Sequence, residues 1–507
     1  MSDDVFVLDP KDAGRLWLRD IIHTPRALPP LPGDLFAELS AHQPMGLDYI
    51  SIRGYAYGSP RSMSTPTAPP PLPPGEALKN WESRYLPQTQ RMYERFRDAD
   101  YDAMESAEII AFFKALVTPT AEAFADTIVS AMEASPDAER LAVLLDGKLG
   151  PEGELLSARI LHGSESQTRS LGTEVQGLAE AARRTPGVET ALLERDFAVV
   201  AASDAEPWAS VLASFLKEHE DEIALWSEIH EPAWNEDPTP LLKLVAATLA
   251  ASGQERTNNG ADAIATVRSK LKPEDVTEFE AALALSRDYV PIIEHRARWQ
   301  LKLFGGVRRL FVALGEKLVA MGVADAPADV FFLRYSELEP AARGEIDLRA
   351  IVPGRRAEWQ ENLKLAPPMT LGLPITYEMV GMASPMLRRV FGAVAVNPAT
   401  ATVVSGIAAN AGVVRGRARV VGGLAEAEDL VPGDILVCPS TSPPWTPYFA
   451  VVSAVVTDAG GVLSHAAIEA REYGIPAVVG TREGTRRIPE GAMITVDGSA
   501  GTVTIEG

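Results

Sequence analysis

Cysteine occurs once in the 507 residues, at Cys438. With no second thiol the chain forms no internal disulfide, which suits a reducing compartment and leaves burial to hold its cores together. Cys438 ends the apolar run Asp434-Ile-Leu-Val-Cys, which reads as a buried strand thiol rather than a nucleophile. Basic residues are in deficit: 47 Lys and Arg against 69 Asp and Glu give a net charge of −22. Such a surface excludes a sequence-independent grip on nucleic acid or anionic lipid. No apolar run approaches membrane-spanning length, and the acidic start MSDDVFVLDPKD has no signal core, so a cytoplasmic location is expected. The nucleotide-binding loop G-x-x-x-x-G-K-[ST] is missing as well, and no repeat of fixed period points to a solenoid.

A chain of this length should hold about two to four domains. Residues 1–75 are rich in proline and aromatics and read as an extended arm over a helical body, with a strand or hairpin from Leu47 to Tyr57 and a proline-dense connector from Pro66 to Pro74. From Ala77 to about Lys364 apolar residues recur three and four apart, as in helices. Leu149-Gly-Pro-Glu, Asp237-Pro-Thr-Pro and Leu271-Lys-Pro-Glu cut this region into segments of ordinary helix length. The expected division is 1–372 as a mainly helical domain with its N-terminal arm, 373–405 as a linker, and 406–507 as a compact β/α domain. Within the last, GIAANAGVVRGRARVV has the pattern of a hairpin, with Gly412 and Gly416 at bends.

The densest signal lies in TDAGGVLSHAAIEAREYGIPAVVGT, Thr457 to Thr481. Short β-branched runs at Ala454–Val456 and Ala477–Val479 flank a helical pattern that Gly474 and Pro476 end. Strand, glycine loop, helix and strand follow one another, with His465 at the helix start. Unpaired N–H groups there favour an anion, and glycines let backbone approach it. A neutral imidazole in that place can attack phosphorus and carry the phosphoryl group, stabilised by those N–H groups and by the Ser464 hydroxyl. Spacing alone leaves a second reading open, a capping loop whose histidine lies at the surface.

GGVLSHAAIEAREYGIPAVVG resembles the phosphohistidine motif of the mobile, swivelling domain of phosphoenolpyruvate-utilising enzymes, a group that includes rifampicin phosphotransferase and the dikinases. The likeness implies that His465 is phosphorylated, that Ser464 fills the hydroxyl position before it, and that Gly460 and Gly461 form the phosphate loop. The segment GDILV…Trp445-Thr446-Pro447 resembles the loop beside that histidine, where Thr441, Trp445 and Thr446 could shape the site; a Trp445 that only packs the loop down fits the same sequence. Upstream, the order Trp17…Asp20…His23-x-Pro25-Arg26, then Arg53-Gly-Tyr-x-Tyr57, resembles the start of the acceptor-binding region of rifampicin phosphotransferases and aryl phosphate synthases.

In EHRARWQLKLFGGVRRL, His295, Arg298 and Lys302 fall at i, i+3 and i+7, so one helix face carries three potential cations, with Trp299 beside them as a flat wall for an aromatic substrate. Such a face suits a phosphoryl group in transit. A solvated face that pairs with the acidic surface fits the same spacing, and Arg296, Arg308 and Arg309 compete for the role.

The resemblance implies a two-component, ATP-dependent phosphotransferase. An ATP-binding partner subunit, holding Mg2+ with its nucleotide, would charge His465; the domain would then swing on the linker and deliver the group to a small hydroxylated, aromatic acceptor of the phenol or benzyl alcohol type. AMP, phosphate and a phosphorylated product would result, and this chain itself would hold no metal or tightly bound cofactor. Two rivals stay open: a phosphoenolpyruvate-dependent transferase acting alone, and a non-catalytic regulatory protein on a dikinase fold.

Overall fold

The computed structural model describes all residues except 1–4, 43–46, 62–71, 74, 163–170, 251–259, 287–288, 377–378, 381–391, 393–401, 463 and 507. Most of the proline connector and much of the expected linker therefore lie outside the described residues.

Where an extended arm was expected, the N-terminal segment forms the helix Pro30–His42 and three strands of a small antiparallel sheet. Strands β1 (Leu16–Arg19), β2 (Leu47–Ile52), β3 (Tyr55–Pro60) and β4 (Thr370–Gly372) lie in the order β2-β3-β1-β4. The expected hairpin is β2–β3, closed by Arg53 at φ 55° and Gly54 at φ 83°. Positive φ at both central residues matches the right-handed strand twist, and a Cβ on Gly54 would meet the Leu28 carbonyl oxygen at 2.4 Å. Trp17, Tyr55 and Tyr57 form the buried core of this sheet.

The helical body is built on two long helices, Ser106–Leu149 of 44 residues and Tyr289–Ala320 of 32 residues. The first runs through Pro119 and Pro136, so it is far longer than the sequence punctuation suggested. It ends where expected, with Gly150 at φ 66°. The stretch Met92–Leu116, by contrast, is divided: one helix ends at Arg97 and the next starts at Ser106. Tyr101 folds into that break and donates its hydroxyl proton to the Phe96 carbonyl.

At the C-terminus eight strands form one sheet: β5 (Val403–Ser405), β6 (Ile407–Asn410), β7 (Val413–Val420), β8 (Asp434–Cys438), β9 (Ala454–Thr457), β10 (Ala477–Val479), β11 (Met493–Asp497) and β12 (Thr502–Ile505), in the order β5-β12-β11-β7-β8-β9-β10-β6. Strands β7 to β10 are parallel. Two expectations are corrected here. Val403–Ser405 pairs with β12, so the sheet begins before residue 406 and inside the expected linker. The β6 and β7 segments do not form a hairpin: β6 pairs with β10 and β7 with β8 and β11, because the parallel centre separates them.

Alternation along β8 fixes which side of this sheet faces the body. Ile435 and Val437 join one apolar layer, whereas Leu436 and the buried Cys438 join the other. Burial pushes the Cys438 thiol well above its usual range, as a strand thiol requires. The second layer is shared: Leu436, Val455, Phe449 and Ala467 pack in one continuous cluster with Val175, Leu178, Trp208 and Leu241 of the helical region. Both sides of the molecule thus meet across an apolar interface directly beside His465. Among the described residues no helix is long and apolar enough to cross a membrane.

Candidate active site

His465 is the first residue of the helix His465–Glu472, in the crossover between parallel strands β9 and β10. A loop leaving β8 supplies Thr441 and Thr446, so the site lies beyond the carboxyl ends of adjacent parallel strands, where such sheets open a crevice. The helix ends as its glycine predicts: Gly474 takes φ 67°, and Ile475 donates its N–H to the Ala470 carbonyl at 2.9 Å. Arg471 ties the motif together by donating to the carbonyl oxygens of Ala409, at 2.8 Å, and Val462 in the glycine loop.

Both imidazole nitrogens are oriented. Thr441 Oγ1 lies 2.8 Å from His465 Nδ1, and Thr446 Oγ1 lies 3.2 Å from Nε2. The Glu469 carboxylate, one turn on, comes within 3.8 Å of Nε2, and Phe449 presents its ring at 6.1 Å. Trp445 does not reach the site; it packs the loop down beside Tyr448. Ser464 is the N-cap residue, yet its side chain does not cap the helix, and among the described residues its buried Oγ has no hydrogen-bond partner. That hydroxyl and the first-turn N–H groups can therefore turn to a phosphoryl group on His465. Gly460 shapes the loop: at φ 107° it needs glycine, and a Cβ there would come within 2.6 Å of Ser464 Oγ. Gly461 accepts the Ser464 N–H at 3.0 Å, which holds the loop against the helix start.

A cavity of about 320 Å³ opens in front of this helix, between the β/α domain and the helical body. Gly460, Ser464, His465 and Glu469 form one wall. The body contributes Trp226, Ile293, Leu301, Arg296 and Arg298 to the lining, and the N-terminal sheet region contributes His23.

The structure divides the expected basic face. His295 and Arg298 reach the cavity wall, but Lys302 and Trp299 do not. Lys302 donates to the Glu218 carbonyl at 2.6 Å and lies over the Tyr93 and Trp299 rings. Trp299 donates its indole N–H to His295 Nε2 at 3.0 Å and packs between two apolar cores, so it is not a wall for substrate. Trp81 also points its indole N–H at His295 Nδ1, at 3.1 Å, and burial followed by the Arg298 charge pushes the imidazole pKa down, away from the cationic form. Arg298 lies 3.1 Å from Glu222 and 3.4 Å from Glu218, so much of its charge is already matched. Burial opposes that charge, but Glu222 outweighs it and holds the guanidinium above its ordinary range.

Arg296 is the competitor that the cavity favours. Among the described residues its side chain bonds only to Gln300, at 3.3 Å, and its buried Nε has no hydrogen-bond partner. Burial pushes its pKa down, with Tyr289 acting weakly the other way, so an anion in the cavity would relieve an incompletely paired charge. The other candidates are committed elsewhere: Arg308 to Glu236 and Arg309 to Asp221. Glu174, His219 and Glu222 were not anticipated. His219 bonds both carboxylates, at 2.9 and 3.0 Å, in the floor of the cavity.

Residues 430–501 match the family described as PEP-utilising enzyme, mobile domain, and residues 123–294 match the rifampicin phosphotransferase fourth domain. The C-terminal β/α unit is a mobile domain of the PEP-utilising enzymes. Similar proteins include an uncharacterised phosphotransferase, YvkC, of Bacillus subtilis, 40% identical over 39% of this chain and 23% of its own length. A rifampicin phosphotransferase of Streptomyces sviceus is 37% identical over 39% of the chain and 21% of its own. An uncharacterised protein of Mycobacterium tuberculosis, Rv2047c, is 31% identical over 65% of the chain and 35% of its own. The chain thus spans between about a fifth and a third of these three relatives. The mobile domain carries its histidine against a cavity whose far wall includes Glu294 and Ile293, the end of the second matched segment and the residue before it.

Proposed function

We propose that this chain is a phosphotransferase component in which His465 carries a phosphoryl group to a hydroxyl acceptor held in the cavity. The observation that carries this reading is that His465, with Ser464 Oγ unpartnered among the described residues beside it, lines the same cavity as Arg296. The acceptor oxygen would attack phosphorus, the N–P bond would break, and Arg296 and the first-turn N–H groups would stabilise the charge on the moving group. A volume near 320 Å³ is at the small end for ligand sites and suits a one-ring acceptor. Trp226, with Ile293 and Leu301, favours a phenol or benzyl alcohol over a polar alcohol.

In this reading the donor is an ATP-binding unit, a partner subunit with Mg2+ and its nucleotide, reached when the mobile domain leaves the helical body. ATP would then yield AMP and phosphate with the phosphorylated product. The test is acid-labile labelling of the protein by ATP and the candidate partner, in wild type and His465→Asn. Label and product should both vanish in the variant; product formation at a comparable rate would falsify the carrier role. Labelling by phosphoenolpyruvate alone would support the rival donor.

A further inference from the structure

Four histidines line the cavity: His23, His219, His295 and His465. Their nitrogens are not equivalent. His465 is held by Thr441 and Thr446, His219 by two carboxylates, and His295 faces an indole N–H at each nitrogen. His23 differs. Its Nδ1 lies 3.0 Å from Asp20 Oδ2, and among the described residues nothing hydrogen-bonds its Nε2.

The surroundings of His23 fix that ring. Asp20 is buried and also accepts the His23 backbone N–H, at 3.0 Å to Oδ1, so the carboxylate holds both ends of the residue. Burial works against the Asp20 charge, yet His23 and the neighbouring N–H groups outweigh it and keep the carboxyl below its ordinary range. Trp226 lies 5.3 Å from the imidazole, centroid to centroid, and the Ser227 hydroxyl bonds the His23 carbonyl. The segment also abuts the mobile domain: Ser440 Oγ lies 3.5 Å from the Ile22 carbonyl, and the next residue, Thr441, holds His465. With Nδ1–H donated to Asp20, Nε2 bears the lone pair.

We infer that His23 is the general base that takes the acceptor's proton, with Asp20 as its positioning residue; the inference rests on the phosphoryl-transfer reading above. As the acceptor oxygen forms its bond to phosphorus, its proton passes to His23 Nε2. The N–P bond breaks, and its electron pair returns to the His465 nitrogen. The product is the phosphate ester, and the His23 imidazolium, paired with Asp20, later returns its proton to water. A positioned base of this kind contributes about 10²- to 10⁴-fold. It is needed most by acceptors that hold their proton tightly.

That dependence supplies the test. Wild type, His23→Gln and Asp20→Asn are loaded at His465 with phosphoramidate, which avoids any partner. Discharge is followed in single turnover to benzyl alcohol, to a series of phenols from phenol to 4-nitrophenol, and to water. Thermal unfolding midpoints check that each variant folds. His23→Gln should slow discharge to benzyl alcohol and water by about 100-fold or more. The wild-type to variant ratio should shrink steadily as the phenol becomes more acidic, approaching unity for ionised 4-nitrophenol. Asp20→Asn should show the same trend with a smaller ratio. A ratio that stays flat across the series, or no slowing at all, would overturn the assignment of the base while leaving the carrier intact. Wild-type discharge no faster than that of the unfolded phosphoprotein, for every acceptor, would instead overturn the transfer reading itself.

Discussion

Thr441 Oγ1 stands 2.8 Å from His465 Nδ1, closer than Thr446 stands to Nε2 at 3.2 Å. If Nδ1 donates its proton to Thr441, the lone pair is on Nε2, which should be the phosphorylated nitrogen. Thr441→Val should lower the loading rate by about 2- to 10-fold, the range for one neutral hydrogen bond, and should let phosphate appear on both nitrogens. Phosphorus NMR of the loaded protein distinguishes the two isomers. A single isomer formed at the wild-type rate would show that Thr441 does not select the nitrogen.

Gly460 is where the phosphate loop tolerates least. Its φ of 107° and the 2.6 Å approach to Ser464 Oγ mean that Gly460→Ala strains the backbone and displaces the hydroxyl together. A cost of about 1–3 kcal/mol in stability is expected, measured by denaturant unfolding, with a larger loss in loading. Ser464→Ala keeps the backbone and loses only the unpartnered Oγ, so it should load slowly at undiminished stability.

Arg296 and Arg298 should part company. Arg296→Gln should leave loading unchanged and slow discharge by about 10²- to 10³-fold, by analogy with the loss of one donor to a developing charge. Arg298→Ala removes a partner from buried Glu222, and should cost about 3 kcal/mol of stability. Stability and discharge measured on both variants separate the two roles.

His219 makes the fold sensitive to pH near neutrality. Burial alone would depress it, but Glu174 and then Glu222 outweigh burial and raise its pKa above the ordinary 6.5. The folded state therefore binds this proton more tightly than the unfolded chain. Its stabilisation is complete below pH 6.5 and is lost as pH rises through the raised value. Glu222, held low against burial by His219, sets the opposite limit, losing its contribution as pH falls well below 4.5. Thermal unfolding across this range should show wild type losing stability on the alkaline side more steeply than His219→Gln. Parallel profiles would mean that His219 does not carry the proton.

Much of the site was legible because its parts are local. His465, Ser464, the double glycine and Gly474 fall within fifteen residues, and each has a conformational job that sequence alone implies. The cavity's far wall is not local. His23, Trp226, Arg296 and Leu171 come from four distant segments, and nothing in their spacing announces that they meet. Helical periodicity placed His295, Arg298 and Lys302 on one face. It could not show that Glu218 and Glu222 already engage two of those charges, or that two indoles occupy the third residue's ring. The hairpin expected at β6 and β7 failed for a related reason, since strand neighbours in this sheet are set by the parallel crossover and not by adjacency in the chain.

Gly172 offers a way to test whether the mobile domain must leave the helical body to be charged. It lies in the helix Leu171–Arg183, and a Cβ on it would meet the Tyr473 hydroxyl at 2.4 Å and Thr446 Cγ2 at 3.5 Å. Both neighbours belong to the mobile domain, and Thr446 touches His465. A bulky side chain at this point therefore opposes the docked arrangement while leaving His465 and its glycine loop unsubstituted. Gly172→Leu should weaken docking by about 1–3 kcal/mol, the usual cost of overpacking. If discharge requires docking and loading requires release, the two half-reactions should respond in opposite senses. Single-turnover discharge should slow by about 5- to 100-fold for that change in docking, while loading by the donor unit should hold steady or quicken. Solution scattering should show a larger radius of gyration in the variant. Were both half-reactions to slow together, or neither to change, the domain would be working from one position, and the donor would have to reach His465 through the same cavity as the acceptor.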